Sequence, residues 1–204
     1  MKKCLATLII AGGVALVASA APQSFDFKDP KGVNNVVFKL DAPLEAISGS
    51  ASGISGTVEF DAANPGATTG KIVIAADSLT VPNSMMQDHM RGNQWLDVAK
   101  FKEITFEAKS LKNVKTTGDT TTADASGSFT LHGVTKEITI PVKLTYLKDK
   151  LGQRMPNMQG DLLVIRANFT IKRADYGINP GAPTDKVADE IELTLSIAGA
   201  AARK

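Results

Sequence analysis

The strongest constraint on the fold of this chain is a period-two alternation of apolar and polar residues in three long segments. The segments are KEITIPVKLTYL (136–147), DLLVIRANFTIK (161–172) and DEIELTLSIA (189–198). Successive side chains of a strand point to opposite faces, so this alternation predicts antiparallel strands with one dry face and one wet face. The apolar faces comprise Ile138, Ile140, Val142, Leu144 and Tyr146; Leu163, Ile165, Ala167, Phe169 and Ile171; and Ile191, Leu193, Leu195 and Ile197.

Shorter segments with strand character lie between turn signals elsewhere in the chain. They are residues 25–27, 35–40, 56–61, 70–76, 103–111 and 125–131. The turn signals include His132-Gly133 and Asn179-Pro180-Gly181. We therefore predict an all-β chain of about eight or nine strands, in a closed barrel or a sandwich. The length of the three long strands favours the barrel.

Two small-residue segments need their own interpretation. The glycines of SGSASGISG (Gly49, Gly53, Gly56) do not stand between a strand and a helix, so we interpret them as a sharply bent or bulged strand and not as a phosphate-binding loop. TTGDTTTADASG (116–127) is interpreted as a polar hairpin loop or flexible tip.

Residues 1–20 have the pattern of a cleaved secretory signal peptide. A basic start at Lys2 and Lys3 precedes an apolar run, and Ala18-Ser19-Ala20 forms a cleavage signal. We therefore expect a periplasmic protein with one domain over residues 21–204. The lone cysteine, Cys4, would leave with the signal, so that no disulfide would hold the mature domain.

Charge and composition exclude several classes of partner. Loss of Lys2 and Lys3 would leave equal numbers of basic and acidic residues, so the formal net charge of +2 belongs to the signal peptide. We expect no nucleic-acid partner, because a neutral domain without an arginine cluster lacks the basic surface that binds phosphates. We also expect no stable membrane insertion, no metal and no cofactor, and we leave a homodimer open.

One short helix is predicted near residues 85–91, within the segment SMMQDHMRGNQWLD (84–97). Ser84 and Gln87 have the spacing of a capping box, and Gly92 is a suitable C-terminal stop. Met86, His89 and Met90 recur at helical spacing. These residues, with Trp95 and Leu96, predict a plug at one end of the barrel, with His89 hydrogen-bonded beneath it.

The same segment allows an enzymatic alternative. His89 could act with Asp88 or Asp97, and Ser84 could serve as a nucleophile. Neighbouring residues on a helix point in different directions, however, and no nucleophile-elbow motif is present. The two histidines, His89 and His132, lack the spacing of a zinc-binding motif.

Four motifs in the expected order resemble those of the YceI-like, polyisoprenoid-binding family. HMRGNQWLDVAKFKEITFEAKSL (89–111) resembles its H-L-R-x-x-x-F-F-D-V-x-K-Y-P-x-I-x-F segment, and SGSFTLHGVTKEITIPV (126–142) its G-x-L-T-I-x-G-V-T-K-x-V hairpin. FTIKRADYGI (169–178) is similar to F-x-I-x-R-x-D-F-G, and VADEIELTL (187–195) to V-G-D-E-V-x-L-x-I. Departures include Met86 and Gln87 before the histidine, and Lys102 in place of the usual proline.

The resemblance implies a lipocalin-like antiparallel barrel in the periplasm that encloses an isoprenoid or another long-chain lipid. It places His89, Arg91 and Trp95 near the barrel mouth, and Arg173 with Asp175 in a second signature. That second pair could form a polar head-group site or an ion pair that fixes a turn. Predicted ligand-binding residues, from this resemblance and the apolar strand faces, are Met86, His89, Met90, Trp95, Leu96, Phe106, Phe129, Ile140, Val142, Ile165, Ala167, Phe169 and Tyr176.

Three functions follow as hypotheses. The first is binding or transport of a long apolar lipid in the periplasm, without catalysis. The second is a small periplasmic hydrolase or isomerase that acts on a hydrophobic substrate through His89. The third is a barrel packed solid with side chains that acts as a stress-related or partner-binding protein.

Overall fold

The computed structural model describes residues 21–203, so the predicted signal peptide at 1–20 lies outside the described residues. One sheet contains all the strands. The elements are β1 (Gln23–Asp26), β2 (Asn35–Asp41), β3 (Ala46–Ala51), β4 (Ile54–Phe60), β5 (Thr69–Ala75), β6 (Leu79–Thr80), α1 (Ser84–Arg91), β7 (Glu103–Thr117), β8 (Thr120–Leu131), β9 (Val134–Leu147), α2 (Leu151–Arg154), β10 (Gly160–Lys172) and β11 (Glu190–Ala202). Short 3₁₀ turns lie at Pro65–Ala67, Ala76–Ser78 and Arg173–Tyr176.

Antiparallel pairing closes this sheet into an eight-stranded barrel. The ring runs β1, β4, β5, β7, β8, β9, β10 and β11, and closes where Asp26 of β1 faces Ala200 of β11. β2 continues the ring above β1, because it pairs with β11 on one side and with β3 on the other. β3 in turn pairs with β6. The predicted all-β, lipocalin-like barrel of about eight strands is confirmed. Three of its eight strand positions are each formed by two short strands: β1 with β2, β4 with β3, and β5 with β6.

The two ends of the barrel are distinct. The upper end carries α1 and the β8–β9 turn at His132-Gly133. His132 and Gly133 both have positive φ (51° and 73°), as a tight type I′ hairpin requires. The lower end carries the β7–β8 turn at Gly118-Asp119 and the β9–β10 connection that contains α2. The order of the loops therefore brings both recognised signatures, around His89 and Arg173, to the upper end.

The glycine-rich segment is the break between β3 and β4. A Cβ atom at Gly49 would lie 2.2 Å from the ring of Phe38, and one at Gly53 would lie 2.8 Å from Cβ of Ser78. Gly56 has φ of +116°, and a Cβ there would lie 2.0 Å from the carbonyl oxygen of Lys71. The predicted bent strand is present, because only glycine allows these close approaches between neighbouring strands.

The interpretation of residues 116–127 as a polar loop or flexible tip is wrong. β7 continues to Thr117, a two-residue turn follows, and β8 starts at Thr120. In β8, Thr121, Ala123 and Ala125 are buried and alternate with more exposed neighbours. The alternation was hidden in the sequence because small and weakly polar residues, rather than large aliphatic ones, occupy the inward positions.

The helix prediction is correct in place and wrong in its cap. α1 spans Ser84–Arg91, and Gly92 is its C-cap. The N-cap is Asn83, whose side-chain oxygen accepts the N–H of Met86 at 2.9 Å, so the proposed Ser84–Gln87 capping box does not form the start of this helix. The single-turn helix α2 was not predicted, because its four residues are too few for a periodic pattern.

A buried carboxylate organises the lower end. The side chain of Asp161 is 5 % exposed; it accepts hydrogen bonds from the Tyr146 hydroxyl (2.8 Å) and the Asp149 N–H (2.8 Å), and pairs with Arg203. Burial opposes ionisation, but the hydrogen bonds outweigh it and hold the pKa of Asp161 below its usual range. Burial and the neighbouring Asp161 raise the pKa of Tyr146 to about 12.

We expect Asp161→Asn to lower the free energy of unfolding by about 2 kcal/mol at neutral pH, because charge-assisted hydrogen bonds are lost. A lowered folded-state pKa stabilises the protein above the unfolded value near 3.8, and this stabilisation is lost as the pH falls through the folded value. Urea unfolding between pH 2 and 7 measures both effects. Asp149→Asn is the matched control, since the Asp149 carboxylate is 58 % exposed. Equal losses in the two variants would contradict the role of Asp161.

Candidate ligand-binding cavity

A cavity of about 170 Å³ lies in the upper half of the barrel, beneath α1 and the loop that follows it. Its walls are hydrocarbon except at one residue, Arg173. It is lined by Val36, Phe38, Leu40, Ala51, Ile72, Ile74, Leu79, Met90, Trp95, Leu96, Ile104, Phe106, Phe129, Leu131, Ile140, Phe169, Ile171, Arg173, Ile178, Ile191, Leu193 and Leu195.

The cavity stops at mid-height because the lower half of the barrel is filled. Phe25, Phe60 and Tyr146 form an aromatic cluster there, with ring centroids 5.8 to 6.4 Å apart. Along β10 the division is direct, since Phe169 and Ile171 line the cavity while Leu163 is fully buried in the lower core. The upper half of the barrel therefore encloses a cavity, and the lower half is a packed core.

The volume of the cavity sets the size of the group it can hold without rearrangement. An engineered apolar cavity of about 150 Å³ binds benzene, whereas sites for drug-sized ligands measure about 300–1,000 Å³. The observed 170 Å³ therefore accepts an apolar group of about benzene size. A longer chain fits only if the upper wall of the cavity moves outward. That wall is formed by Met90, Trp95 and Leu96.

Arg91 attaches this upper wall, which we call the lid (residues 84–98), to the barrel. Its Nη2 donates to the carbonyls of Asp77 (2.6 Å), just before the short strand β6, and of Leu79 (2.8 Å), the first residue of β6. Its Nε is buried and has no hydrogen-bond partner among the described residues. Within the lid, the N–H of Leu96 bonds the carbonyl of Met90 at 3.0 Å. Two hydrogen bonds to carbonyls thus link the lid to the barrel, and Met86, Met90 and Leu96 pack against the upper core cluster.

Arg173 closes the other side of the upper end. It is 1 % exposed, and its guanidinium donates to the carbonyls of five residues in the β10–β11 loop. These are Ile178, Asn179, Ala182, Val187 and Ala188. Its Cζ also lies 6.0 Å from the centroid of the Trp95 ring, within cation–π range. One buried cation therefore ties the β10–β11 loop together and contacts the lid.

Neither earlier interpretation of Arg173 and Asp175 as a pair holds. Asp175 forms an ion pair with Lys136 at 3.0 Å and is 52 % exposed, whereas Arg173 points into the barrel end. Arg173 and Asp175 are two positions apart in the 3₁₀ turn Arg173–Tyr176, and side chains at this spacing point in different directions. The hydrogen bonds of Arg173 go to backbone carbonyls, so it contributes structure and a positive charge to the cavity wall.

His132 joins the two upper signatures, and sequence reasoning missed it. Its Nδ1 lies 3.0 Å from the carbonyl oxygen of Tyr176, and its ring packs edge-on against Phe101 at 4.5 Å. Tyr176 is buried against Phe129, with ring centroids 5.6 Å apart. In the sequence, His132-Gly133 was a turn signal only. The contact of His132 with a residue 44 positions away has no local signature.

The structure brings together about half of the residues predicted to bind ligand. Met90, Trp95, Leu96, Phe106, Phe129, Ile140 and Phe169 line the cavity. Met86 packs against the upper core cluster, and Tyr176 belongs to the cluster around Phe129. Val142, Ile165 and Ala167 lie in or against the core cluster that includes the lower half, away from the cavity wall.

His89 is exposed on the outer surface of α1, so the prediction that it is hydrogen-bonded beneath the plug is wrong. Consecutive helical residues are about 100° apart, and Met90 takes the inward direction that His89 would need. Wall residues from β2, β5 and β11, such as Phe38, Ile72 and Leu193, were not among the predicted binding residues. Their alternation was visible, but the face that bounds an empty space cannot be read from it.

Among residues 21–203, no group of three or more His, Cys, Asp or Glu side chains is placed to hold a metal ion. In the same range, no helix has the length and hydrophobicity needed to cross a bilayer. Neither finding bears on the residues outside this range.

Residues 30–199 match the sequence profile of the YceI-like domain. The chain belongs to the YceI-like family. A UPF0312 protein of Pseudomonas paraeruginosa is 31 % identical over 202 residues, which is 98 % of either chain. A UPF0312 protein of Yersinia pestis is 34 % identical over 151 residues, covering 74 % of this chain and 72 % of the relative.

Solved structures of YceI-like and related barrels share the fold at low sequence identity. BcnA of Burkholderia cenocepacia has a TM-score of 0.66 at 19 % identity and covers 81 % of this chain and 95 % of its own. A polyisoprenoid-binding domain from Saccharophagus degradans has a TM-score of 0.63 at 14 % identity, over 88 % of this chain and 99 % of its own. These similarities establish the barrel, while the contents of the cavity are decided by its own residues.

We expect Arg173→Lys to lower the free energy of unfolding by about 3 kcal/mol, because an ammonium cannot reach five carbonyls and several would be left buried without a donor. Thermal unfolding measures this loss. Lys172→Arg, at the neighbouring exposed position, exchanges the same two residue types in the opposite direction; it is the control and should change stability little. A small effect at Arg173 would show that its hydrogen bonds do not hold the upper end together.

Proposed function

We propose that this protein binds a long-chain apolar lipid, with an isoprenoid chain as the first candidate, in the upper half of its barrel. The observation that carries the proposal is a cavity whose lining is hydrocarbon and whose only charged residue, Arg173, has its donors engaged by carbonyls. The polyisoprenoid-binding domain of S. degradans, which has the same fold, supports isoprenoid as the ligand class.

Burial of hydrocarbon suffices to bind such a ligand. Each buried CH₂ group contributes about 0.8 kcal/mol, so a chain with several groups in the cavity binds without polar contacts. A polar group inside would be desolvated without a free partner, which costs about 1–3 kcal/mol. The head group therefore stays at the mouth, and the cavity selects for the chain.

A long chain requires the cavity to grow, and the lid is built to allow it. Met86 and Met90 face the barrel from α1, and methionine side chains adapt to different apolar shapes. The packed core around Phe25 and Phe60 prevents the cavity from extending into the lower half. The ligand thus occupies the upper half of the barrel, and the part of a long chain that does not fit there lies outside the barrel, beside the lid.

Binding without catalysis is the function that the geometry supports best. The enzymatic alternative needs His89 beside an apolar substrate, but this side chain lies exposed on the outer surface of α1. A barrel packed solid with side chains is disfavoured by the 170 Å³ cavity. We further propose that the protein works in the periplasm, on the basis of the signal-like pattern at residues 1–20.

Filling the cavity should abolish binding. We expect Leu193→Trp, which places an indole in the cavity from β11, to weaken binding of farnesol at least tenfold, measured by isothermal titration calorimetry. Thr194→Trp is the matched control, because the next residue of the same strand is exposed on the outer wall. If both variants bound like the unaltered protein, the cavity would not be the site.

Native mass spectrometry of the protein expressed with residues 1–20 tests ligand class and location together. We expect a chain that begins at Ala21, recovered from the periplasmic fraction, with an added mass that solvent extraction identifies as a long-chain lipid. A full-length chain in the cytoplasm would contradict the periplasmic proposal. A bare mass, with no uptake from an offered panel of prenols and fatty acids, would contradict lipid binding.

A further inference from the structure

Among the described residues, four pairs of facing positions on the outer wall of the barrel bring opposite charges together across neighbouring strands, whereas one pair brings like charges together. Lys71 faces Glu107, Lys112 faces Asp124, Lys39 faces Glu192 and Lys172 faces Glu190. In contrast, Lys143 of β9 directly faces Arg166 of β10. Side chains directly opposite one another have Cβ atoms about 5 Å apart, and like charges at this distance are destabilising.

A third cation extends this pair into a row. Thr122 of β8 faces Lys143 on one side and Lys115 of β7 on the other, so the row reads Lys115, Thr122, Lys143, Arg166 across four strands. All four side chains are exposed. Among the described residues, no carboxylate lies within 4 Å of the charged nitrogens of these three cations.

A β-bulge places Lys115 in the row. Between Lys112 and Lys115 the strand β7 has one residue more than β8, and Asn113 within the bulge has φ of +53°. Without the extra residue Lys115 would face the buried Thr121 and point inward, because side chains alternate between the two faces. Bulges often re-aim a side chain at a functional site.

The cation row forms one side of a groove of about 440 Å³ on the lower outer wall. Asn113, Asp124 and Asn168 also line this groove. Asp124 is engaged, since its Oδ2 accepts a hydrogen bond from Asn113 Nδ2 at 2.6 Å and it faces Lys112. Nη1 of Arg166 donates to the carbonyls of Ile165 (3.1 Å) and of Ile197 in β11 (3.2 Å), which holds this nitrogen against the outer wall.

We propose that this groove, lined by Lys115, Lys143 and Arg166, is a binding site for a phosphate-type oxyanion, separate from the apolar cavity. A doubly charged anion between Lys143 and Arg166 converts their repulsion into two attractive contacts. The planar guanidinium and the mobile ammonium groups match the oxygens of a phosphate group. The anion can be a soluble phosphate compound or the head group of an anionic lipid, which present the same chemistry.

Isothermal titration calorimetry with sodium pyrophosphate tests the site. We expect saturable 1:1 binding that weakens as ionic strength rises. K143Q/R166Q should weaken binding at least tenfold. K71Q/K172Q removes the same charge from two cations that face glutamates, and it should bind within twofold of the unaltered protein. Absence of saturable binding, or equal weakening in both double variants, would overturn the proposal.

Stability provides a second readout that does not depend on measuring affinity. Lys143→Glu should raise the melting temperature in phosphate-free buffer, because it replaces a repulsive pair by an attractive one. The same variant should lose the rise in melting temperature that pyrophosphate causes in the unaltered protein. A lower melting temperature without phosphate, or an undiminished response to it, would contradict the role of the facing cations.

Vesicle sedimentation distinguishes the two sources of the anion. Binding to phosphatidylcholine vesicles that contain phosphatidylglycerol, and displacement by pyrophosphate, would assign the groove to a lipid head group. Calorimetric binding of pyrophosphate without vesicle binding would assign it to a soluble phosphate compound. Vesicle binding that K143Q/R166Q leaves intact would overturn the proposal for a membrane partner.

Discussion

The barrel depends on the last strand, β11, which closes the sheet. One edge of β11 pairs with β10 from Gly160↔Ala202 to Lys172↔Glu190, and the other edge pairs with β2 above and β1 below. Closure satisfies the backbone donors and acceptors that a sheet edge would leave open. It also fixes the interior width at about eight strands, which is enough for filling side chains or for one small ligand. This barrel uses both options, one in each half.

The two halves differ in the size and source of their inward side chains. In the lower half, Phe25 of β1 and Phe60 of β4 pack against Tyr146 and fill the interior. In the upper half, β2 and β3 continue the ring, and the lid covers the end without filling it. The breaks between β1 and β2 and between β3 and β4 therefore allow one sheet to enclose both a packed core and a cavity.

At each end of the barrel, one buried charged side chain stabilises the loops through hydrogen bonds. Asp161 receives hydrogen bonds at the lower end, and Arg173 donates them at the upper end, so that each loop cluster is organised around one ionised group. Buried ions without such partners would be strongly destabilising. On the outer wall, four described pairs of facing charges are of opposite sign, whereas Lys143 and Arg166 face each other with the same sign.

The sequence by itself determined the all-β class, the approximate number of strands, the position of α1 and the bent glycine segment, because these depend on local alternation and on backbone freedom at Gly53 and Gly56. It did not reveal the strands within 116–127, whose inward positions are small. Only the tertiary structure decided that Phe169 bounds an empty space while Ala167, two residues earlier, lies in the packed core. It alone turned His89 outward, separated Arg173 from Asp175, and set Lys143 opposite Arg166. The physical reason is the same in each case: periodicity assigns a side chain to a face, whereas register and closure decide what lies opposite it.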